Sequence, residues 1–372
     1  MPNDVLHEVL GGVGVITLNR PQALNALSLG MVRDIAAALD AWELDATVHG
    51  VLMRGAARQA KAGRPAEVHF CAGGDIRFLY ERSLLRDPDV DAFFTEEYAL
   101  DHRLHNYPKP VVAWLEGVVM GGGMGLAQAA QLRVATESVR MAMPETRIGL
   151  FPDVGGGFFL SRCEGAVGEY LGLVGVHLGM ADALALGLAD LSAAQGALDG
   201  LLQDLQSTPV RAASELLPRV SAHANLHRAT GQAKATVSAH RVDIDRHFSL
   251  PTLQDIEATL RSDPSEWAQS TLAHMAKNSP LMMAVTLAQV RRARGMALAE
   301  VFRMERTLVQ HCFTPREDGA CEVLEGIRAL VIDKDNAPAW HPSLSAGVTS
   351  AMVDAHFAPV WSEQAHPLRA LI

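Results

Sequence analysis

The sequence predicts an α/β protein that ends in a helical region, and three observations carry that prediction. Short apolar runs alternate with helix-period segments through the first half of the chain. Two glycine-rich turns, Phe70-Cys71-Ala72-Gly73-Gly74-Asp75 and Met120-Gly121-Gly122-Gly123-Met124-Gly125, sit beside strand-like runs and open helix-like ones. From about residue 181 to 261 the chain becomes Ala/Leu-rich and helical with no new glycine turn, and further helices follow. With 372 residues the chain is too long for one average domain. The expected division is a core over residues 1–210 and a helical region over 211–372.

The elements follow in order. Residues 5–19 read as two strands around Gly11-Gly12, with Val13, Val15, Thr17 and Asn19 alternating. Ser28 is an N-cap for a helix to about Asp45, whose Met31, Ile35, Leu39 and Trp42 recur at helical spacing. A short buried strand covers 49–54, and 55–67 is a basic, Ala/Gly-rich loop. A helix starts at Ile76, a charged loop surrounds Arg86-Asp87-Pro88, and a second helix covers about 90–106. Lys109-Pro110 opens a strand over 111–115; a helix over about 123–131 and a strand over 132–136 come next. Helices over 280–294 and 298–312 lie in the C-terminal region. No internal repeat or low-complexity segment is visible.

Composition removes several function classes. Net charge is −10, which opposes binding to a nucleic-acid backbone. The longest apolar stretch, 111–130, is broken by Glu116 and glycines, so a membrane span is not expected. Cys71, Cys163, Cys312 and Cys321 form no C-x-x-C pair, and the N-terminus lacks the pattern of a secretory signal. A reducing cytoplasm is the expected location. The sequence contains no G-x-S-x-G elbow, P-loop or dinucleotide-binding G-x-G-x-x-G. His223 and His227 are four apart but lack a third ligand, so they read as helix-surface residues and no metal is expected.

The glycine turns carry chemistry of their own. Glycines at a helix start leave the first N–H groups unpaired and open to a ligand oxygen, and the helix dipole adds favourable potential for negative charge. A carbonyl held there gains stabilisation as its oxygen becomes an oxyanion. Tight helix–strand packing explains the glycines equally well. Asp75 would cap the helix starting at Ile76. Glu145 and Asp153 lie in apolar surroundings, which suits acid/base work; a cap or an ion pair with Arg147 or Arg162 is the alternative. Arg54, Arg58, Lys61 and Arg64 form either a solvated loop or a grip on the phosphates of an anionic ligand.

At these residues the chain resembles the crotonase (enoyl-CoA hydratase/isomerase) superfamily. The resemblance rests on ITLNRPQALNAL (16–27), FCAGGDI (70–76), MGGGMGL (120–126), RVATES (133–138), MPETRIGLFPDVGGGFFL (143–160), NSP (278–280) and EGIRALVIDKDNAPAW (325–340). It implies a crotonase-like spiral of repeated ββα units with C-terminal helices, and an acyl-CoA substrate rather than a cofactor. It places the oxyanion-hole donors at Gly74 and Gly122 and the active-site carboxylates at Glu145 and Asp153. It puts a further substrate-contacting acid at Glu97, and Ala26, Ala72 and Asp75 around the substrate. Hydratases of the superfamily carry a catalytic Glu two residues after the GGG run, where this chain has Gly125. Hydration with two glutamates is thereby disfavoured and thioester hydrolysis fits the remaining acids better; on the same stretches the chain most resembles members that hydrolyse 3-hydroxyisobutyryl-CoA, an activity of valine breakdown. The basic loop 55–67 and the segment 313–324 depart from that pattern. A lyase or isomerase on the same scaffold and a non-catalytic acyl-CoA-binding protein are the competing expectations. A homo-oligomer is also implied.

Overall fold

Val5–Leu10 and Val13–Leu18 pair antiparallel around the Gly11-Gly12 turn, and four parallel strands extend that hairpin into one sheet. The computed structural model describes residues 3–58, 67–229, 234–316 and 319–372. The order across the sheet is Val5–Leu10, Val13–Leu18, Val51–Gly55, Val111–Leu115, Leu132–Thr136 and Leu191–Ala193. Val15 stands opposite Leu52, Leu52 opposite Val112, and Trp114 opposite Val134. Every residue of Val111–Leu115 is buried, as expected for a parallel strand covered on both faces. Val15, Leu52, Val112, Trp114 and Val134 form a core with Leu201, Leu205, Leu216 and Val220 of the helices Ala197–Ser207 and Ala213–Leu226. The hydroxyl of Ser28 accepts from Met31 N and starts Leu29–Leu44, which buries Met31, Ile35, Leu39 and Trp42 as its spacing requires.

One element departs from the sequence reading. Leu191–Ala193 lies in the region expected to be helical throughout, yet it pairs parallel with Val134–Thr136. Three residues are too few to show a strand period. Partners more than fifty positions away fix its conformation.

Contacts divide the chain into two compact units that alternate along the sequence. The first comprises Met1–Gly74, Leu100–Ala142 and His177–Ala239, and contains the whole six-stranded sheet. The second comprises Asp75–Ala99, Met143–Val176 and His240–Ile372, and its described elements are helical. Within it, Pro280–Ala293 is capped by Ser279 and buries ten side chains, including Leu281, Met282, Val285 and Gln289. Leu298–Phe313 buries Phe302, Glu305 and Arg306. The Arg306 guanidinium donates to Asp91 Oδ1 at 2.7 Å and to Thr95 Oγ1 at 3.0 Å, tying this helix to the one that begins at Asp89. Among the described residues no helix is long and apolar enough to cross a membrane.

Candidate active site

The two glycine turns of the first unit lie side by side. Cys71 and Val119 form a parallel bridge; Cys71 N donates to Val118 O at 3.1 Å and Met120 N to Cys71 O at 3.0 Å. A third segment joins them: Leu27 N donates to Gly73 O at 2.8 Å and Ala72 N to Leu24 O at 3.1 Å. Asn25 holds that segment, accepting from Arg20 N at 2.9 Å and donating to His69 O at 2.6 Å. Ala26 O accepts from Arg20 Nη1 at 2.8 Å. Ala26, Ala72, Gly74 and Gly122 are thereby gathered in one unit by main-chain bonds.

This arrangement presents N–H groups. Gly122 is the first residue of the Gly122–Ala129 helix and is buried, so its N–H has no carbonyl one turn back to bond. Among the described residues no acceptor takes the Gly74 N–H. The close approach depends on glycine: a Cβ on Gly123 would lie 2.3 Å from Cys71 O, far inside van der Waals contact. This close approach is the packing reading of the glycine run, and the Gly122 N–H at the helix start is compatible with the donor reading.

The carboxylic acids belong to the second unit. Glu145 opens the short 3-10 turn Glu145–Ile148, which Gly149 closes in the left-handed region at φ 72°. Ser279 N donates to Thr146 O at 2.9 Å and Thr146 Oγ1 to Leu173 O at 3.2 Å, so helices on either side fix the turn. Glu145 is 5% exposed, and its Oε2 meets no hydrogen-bond partner among the described residues. Asp153 is equally buried, and its Oδ2 accepts from the Tyr98 hydroxyl at 2.7 Å. Glu97 is 2% exposed, so solvent exposure does not account for it. Asp75 caps Ile76–Leu84, with Oδ1 accepting from Phe78 N at 3.2 Å.

Burial dominates the electrostatics here. It pushes the Glu145 carboxyl well above the usual range, and the negative charge of Asp153 adds to the rise. Burial also raises Asp153 to about 6, opposed by the hydrogen bond from Tyr98. The Tyr98 hydroxyl is held well above its ordinary value by burial and then by Asp153. Neither acid is neutralised by the arginines nearest in sequence. Arg147 donates to Lys277 O, and Arg162 stacks on Phe158 and donates to main-chain carbonyls. The ion-pair alternative is thus excluded for Arg147 and Arg162, and two buried acids with raised proton affinity remain.

Sequence reasoning missed three members of this cluster: Tyr98, Gln289 and Glu305. Tyr98 adjoins Glu97, but nothing local shows that its hydroxyl reaches Asp153. Glu305 is fully buried; it accepts from Gly155 N at 2.7 Å and Gly157 N at 2.8 Å, about 150 positions earlier in the chain. Its spacing in an Arg- and Met-containing helix carries no sign of this.

Other singled-out groups have ordinary surroundings or fall elsewhere. Arg54 donates to Thr17 Oγ1 at 3.1 Å, Arg58 is exposed on a short strand, and Lys61 and Arg64 lie outside the described residues. His223 and His227 pack ring on ring at 4.5 Å.

A family model described as enoyl-CoA hydratase/isomerase matches residues 13–357. The mitochondrial 3-hydroxyisobutyryl-CoA hydrolase of Danio rerio is 38% identical over 95% of this chain and 89% of its own length. The Homo sapiens protein of the same name is 37% identical over 95% of this chain and 88% of its own. Among solved structures, a carnitinyl-CoA dehydratase from Mycobacterium thermoresistibile superposes with a TM-score of 0.85 at 35% identity, covering 96% of this chain and 97% of that one. An enoyl-CoA hydratase from Rhodobacter sphaeroides gives 0.82 at 32%, covering 96% and 98%. These likenesses bear out the crotonase-like α/β fold. They also correct one expectation: the hydrolase relatives are mitochondrial by name, against a cytoplasmic location.

Proposed function

We propose that this chain, which belongs to the enoyl-CoA hydratase/isomerase family, hydrolyses a short 3-hydroxyacyl-CoA thioester, 3-hydroxyisobutyryl-CoA, to the free acid and CoA. The observation that carries the reading is the pair of buried acids, Glu145 and Asp153, in a chain whose Gly125 leaves the glycine-turn helix without the glutamate that hydratases place there.

Hydrolysis needs a stabiliser for the carbonyl oxygen and a group that brings an oxygen nucleophile to the carbonyl carbon. The Gly74 and Gly122 N–H groups take the first role, each contributing a few kcal/mol as the oxygen gains charge. Glu145 takes the second by one of two routes. It removes a proton from water as water attacks, or it attacks directly and water then opens the mixed anhydride. In either route the C–S bond breaks and the CoA sulfur leaves as thiolate, to be protonated. Asp153, oriented by Tyr98, and Glu97 bind the 3-hydroxyl and assist proton transfer, with Ala26, Ala72 and Asp75 lining the substrate. This chemistry calls for no metal or redox cofactor. We further assign the reaction to valine breakdown and expect a homo-oligomer assembled through C-terminal helices.

Release of free thiol from 3-hydroxyisobutyryl-CoA tests the reading. Wild type is expected to release thiol rapidly, and Glu145→Gln to lower kcat by about a thousandfold or more. The solved relatives, a carnitinyl-CoA dehydratase and an enoyl-CoA hydratase, support a second reading, addition of water across a C=C. Hydration of crotonyl-CoA followed in parallel separates the two: hydration without thiol release would replace the hydrolase reading.

A further inference from the structure

Asp153 stands at the start of a strained turn. Val154 follows it at φ 52° and Gly155 at φ 82°. The left-handed region is unfavourable for a β-branched side chain, and such a conformation persists only when its surroundings impose it. Val154 is buried. The fully buried carboxylate of Glu305 spans the turn: Oε2 accepts from Gly155 N and Oε1 from Gly157 N. Gln289 completes the clamp. Its Nε2 donates to Glu305 Oε1 at 2.9 Å and to Pro152 O at 2.7 Å, so the residues on both sides of Asp153 are held. Asp153 O in turn accepts from Gly156 N at 2.7 Å. The Asp153 side chain is left facing Tyr98.

We propose that Glu305, braced by Gln289, is a positioning residue that holds the strained Asp153–Gly157 turn so that the Asp153 carboxyl is aimed for catalysis. Glu305 contacts main-chain N–H groups and an amide; it acts through Asp153. Burial pushes Glu305 to about 8, opposed by the two glycine N–H bonds, and the charge of Asp153 raises it further, so the two groups also sense each other electrostatically. The inference rests on the assignment of Asp153 to the reaction.

A double-mutant cycle tests it, with kcat/KM for thiol release measured for Glu305→Gln, Asp153→Asn and the pair. Glutamine keeps the shape of Glu305 but turns an NH2 donor toward one of the two glycine N–H groups. Glu305→Gln is expected to lower kcat/KM about tenfold or more alone, and less than twofold when Asp153 is already Asn. The same factor in both backgrounds, or no loss from Glu305→Gln alone, overturns the inference. Asp153→Asn with full activity overturns the role of Asp153 itself, and this inference with it, a result distinct from additivity. Should Glu305→Gln fail to fold, Gln289→Met removes the brace while leaving the carboxylate, and the same criteria apply to its cycle with Asp153→Asn.

Discussion

Gly74 and Gly122 offer main-chain N–H groups set by a parallel sheet and its turns, whereas Glu145 and Asp153 offer ionisable side chains buried among helices. The two regions face opposite physical demands. A backbone donor carries a fixed partial charge that no pH change removes, and it needs only the absence of side chains nearby. A buried acid costs stability when ionised, and its strength depends on everything packed around it. Damage to the donor region should therefore lower the rate alike at every pH. Damage to the acid region should also alter stability and pH response.

In the donor region the largest expected effect comes from Gly73→Ala. Gly73 sits at φ 100°, and a Cβ there would lie 3.3 Å from Met120 O and 3.5 Å from Gly122 N. The positive φ strains any L side chain there, and Met120 O must give by a few tenths of an ångström, so the turn that carries the donors shifts. A loss of kcat by about a hundredfold is expected, comparable to removing one oxyanion-hole donor. Steady-state rates from pH 6 to 8 should fall by one common factor. An unchanged kcat would detach the glycine turn from the carbonyl, and a factor that varies with pH would tie it to the acids.

The same contrast explains what could be read from the sequence. The donor region is written locally: Cys71-Ala72-Gly73-Gly74 and Gly121-Gly122-Gly123 announce close backbone approach in consecutive residues. Ser28 likewise announced the helix it caps. Glu145 and Asp153 were visible as acids in apolar surroundings, but their partners were not. Tyr98 is 55 positions from Asp153, and Glu305 about 150 from the glycines it binds. Such pairings arise from helix packing, which leaves no period or spacing in the chain. The strand Leu191–Ala193 escaped for the same reason.

A smaller effect sharpens the comparison through stability. Asp153 rises from the ordinary 3.8 to about 6 in the folded protein, so the folded state holds its proton more tightly than the unfolded chain. The sign follows: this group favours the folded state most at low pH, and stability is lost as pH rises from about 4 through about 6. Glu145, raised well above its ordinary range, contributes with the same sign. A tenfold difference in proton affinity between folded and unfolded chain is worth about 1.4 kcal/mol, which bounds the Asp153 contribution at about 3 kcal/mol. At pH 8, Asp153→Asn should be more stable than wild type by up to about 3 kcal/mol, and Glu145→Gln should shift in the same direction, both while losing activity. Activity should run the other way: Glu145 must be ionised to act as base or nucleophile and burial holds its proton, so wild-type kcat/KM should climb as pH rises past the ordinary carboxylate range. Thermal unfolding of the three proteins at pH 5 and pH 8 measures the first effect, and a pH–rate profile the second. Variants less stable than wild type at pH 8 would mean that the acids are compensated in place, and the contrast with the backbone donors would weaken.

The smallest effect concerns the cations in the sequence before the first glycine turn. Arg58 is exposed beside residues 59–66, where the sequence adds Lys61 and Arg64. Exposed cations interact weakly and are screened by salt. If they grip the phosphates of the CoA tail, they bind the ground state and the transition state alike, because the tail does not change as the thioester breaks. Replacing all three with glutamine should then raise KM about three- to tenfold with kcat nearly constant, and the difference should shrink as ionic strength rises. The outcome places this loop relative to the other two regions. A rise in KM alone makes it a third, purely electrostatic device that serves capture and not chemistry. A fall in kcat would join it to the donor turn that follows it in sequence. No change in either would leave it a solvated surface loop.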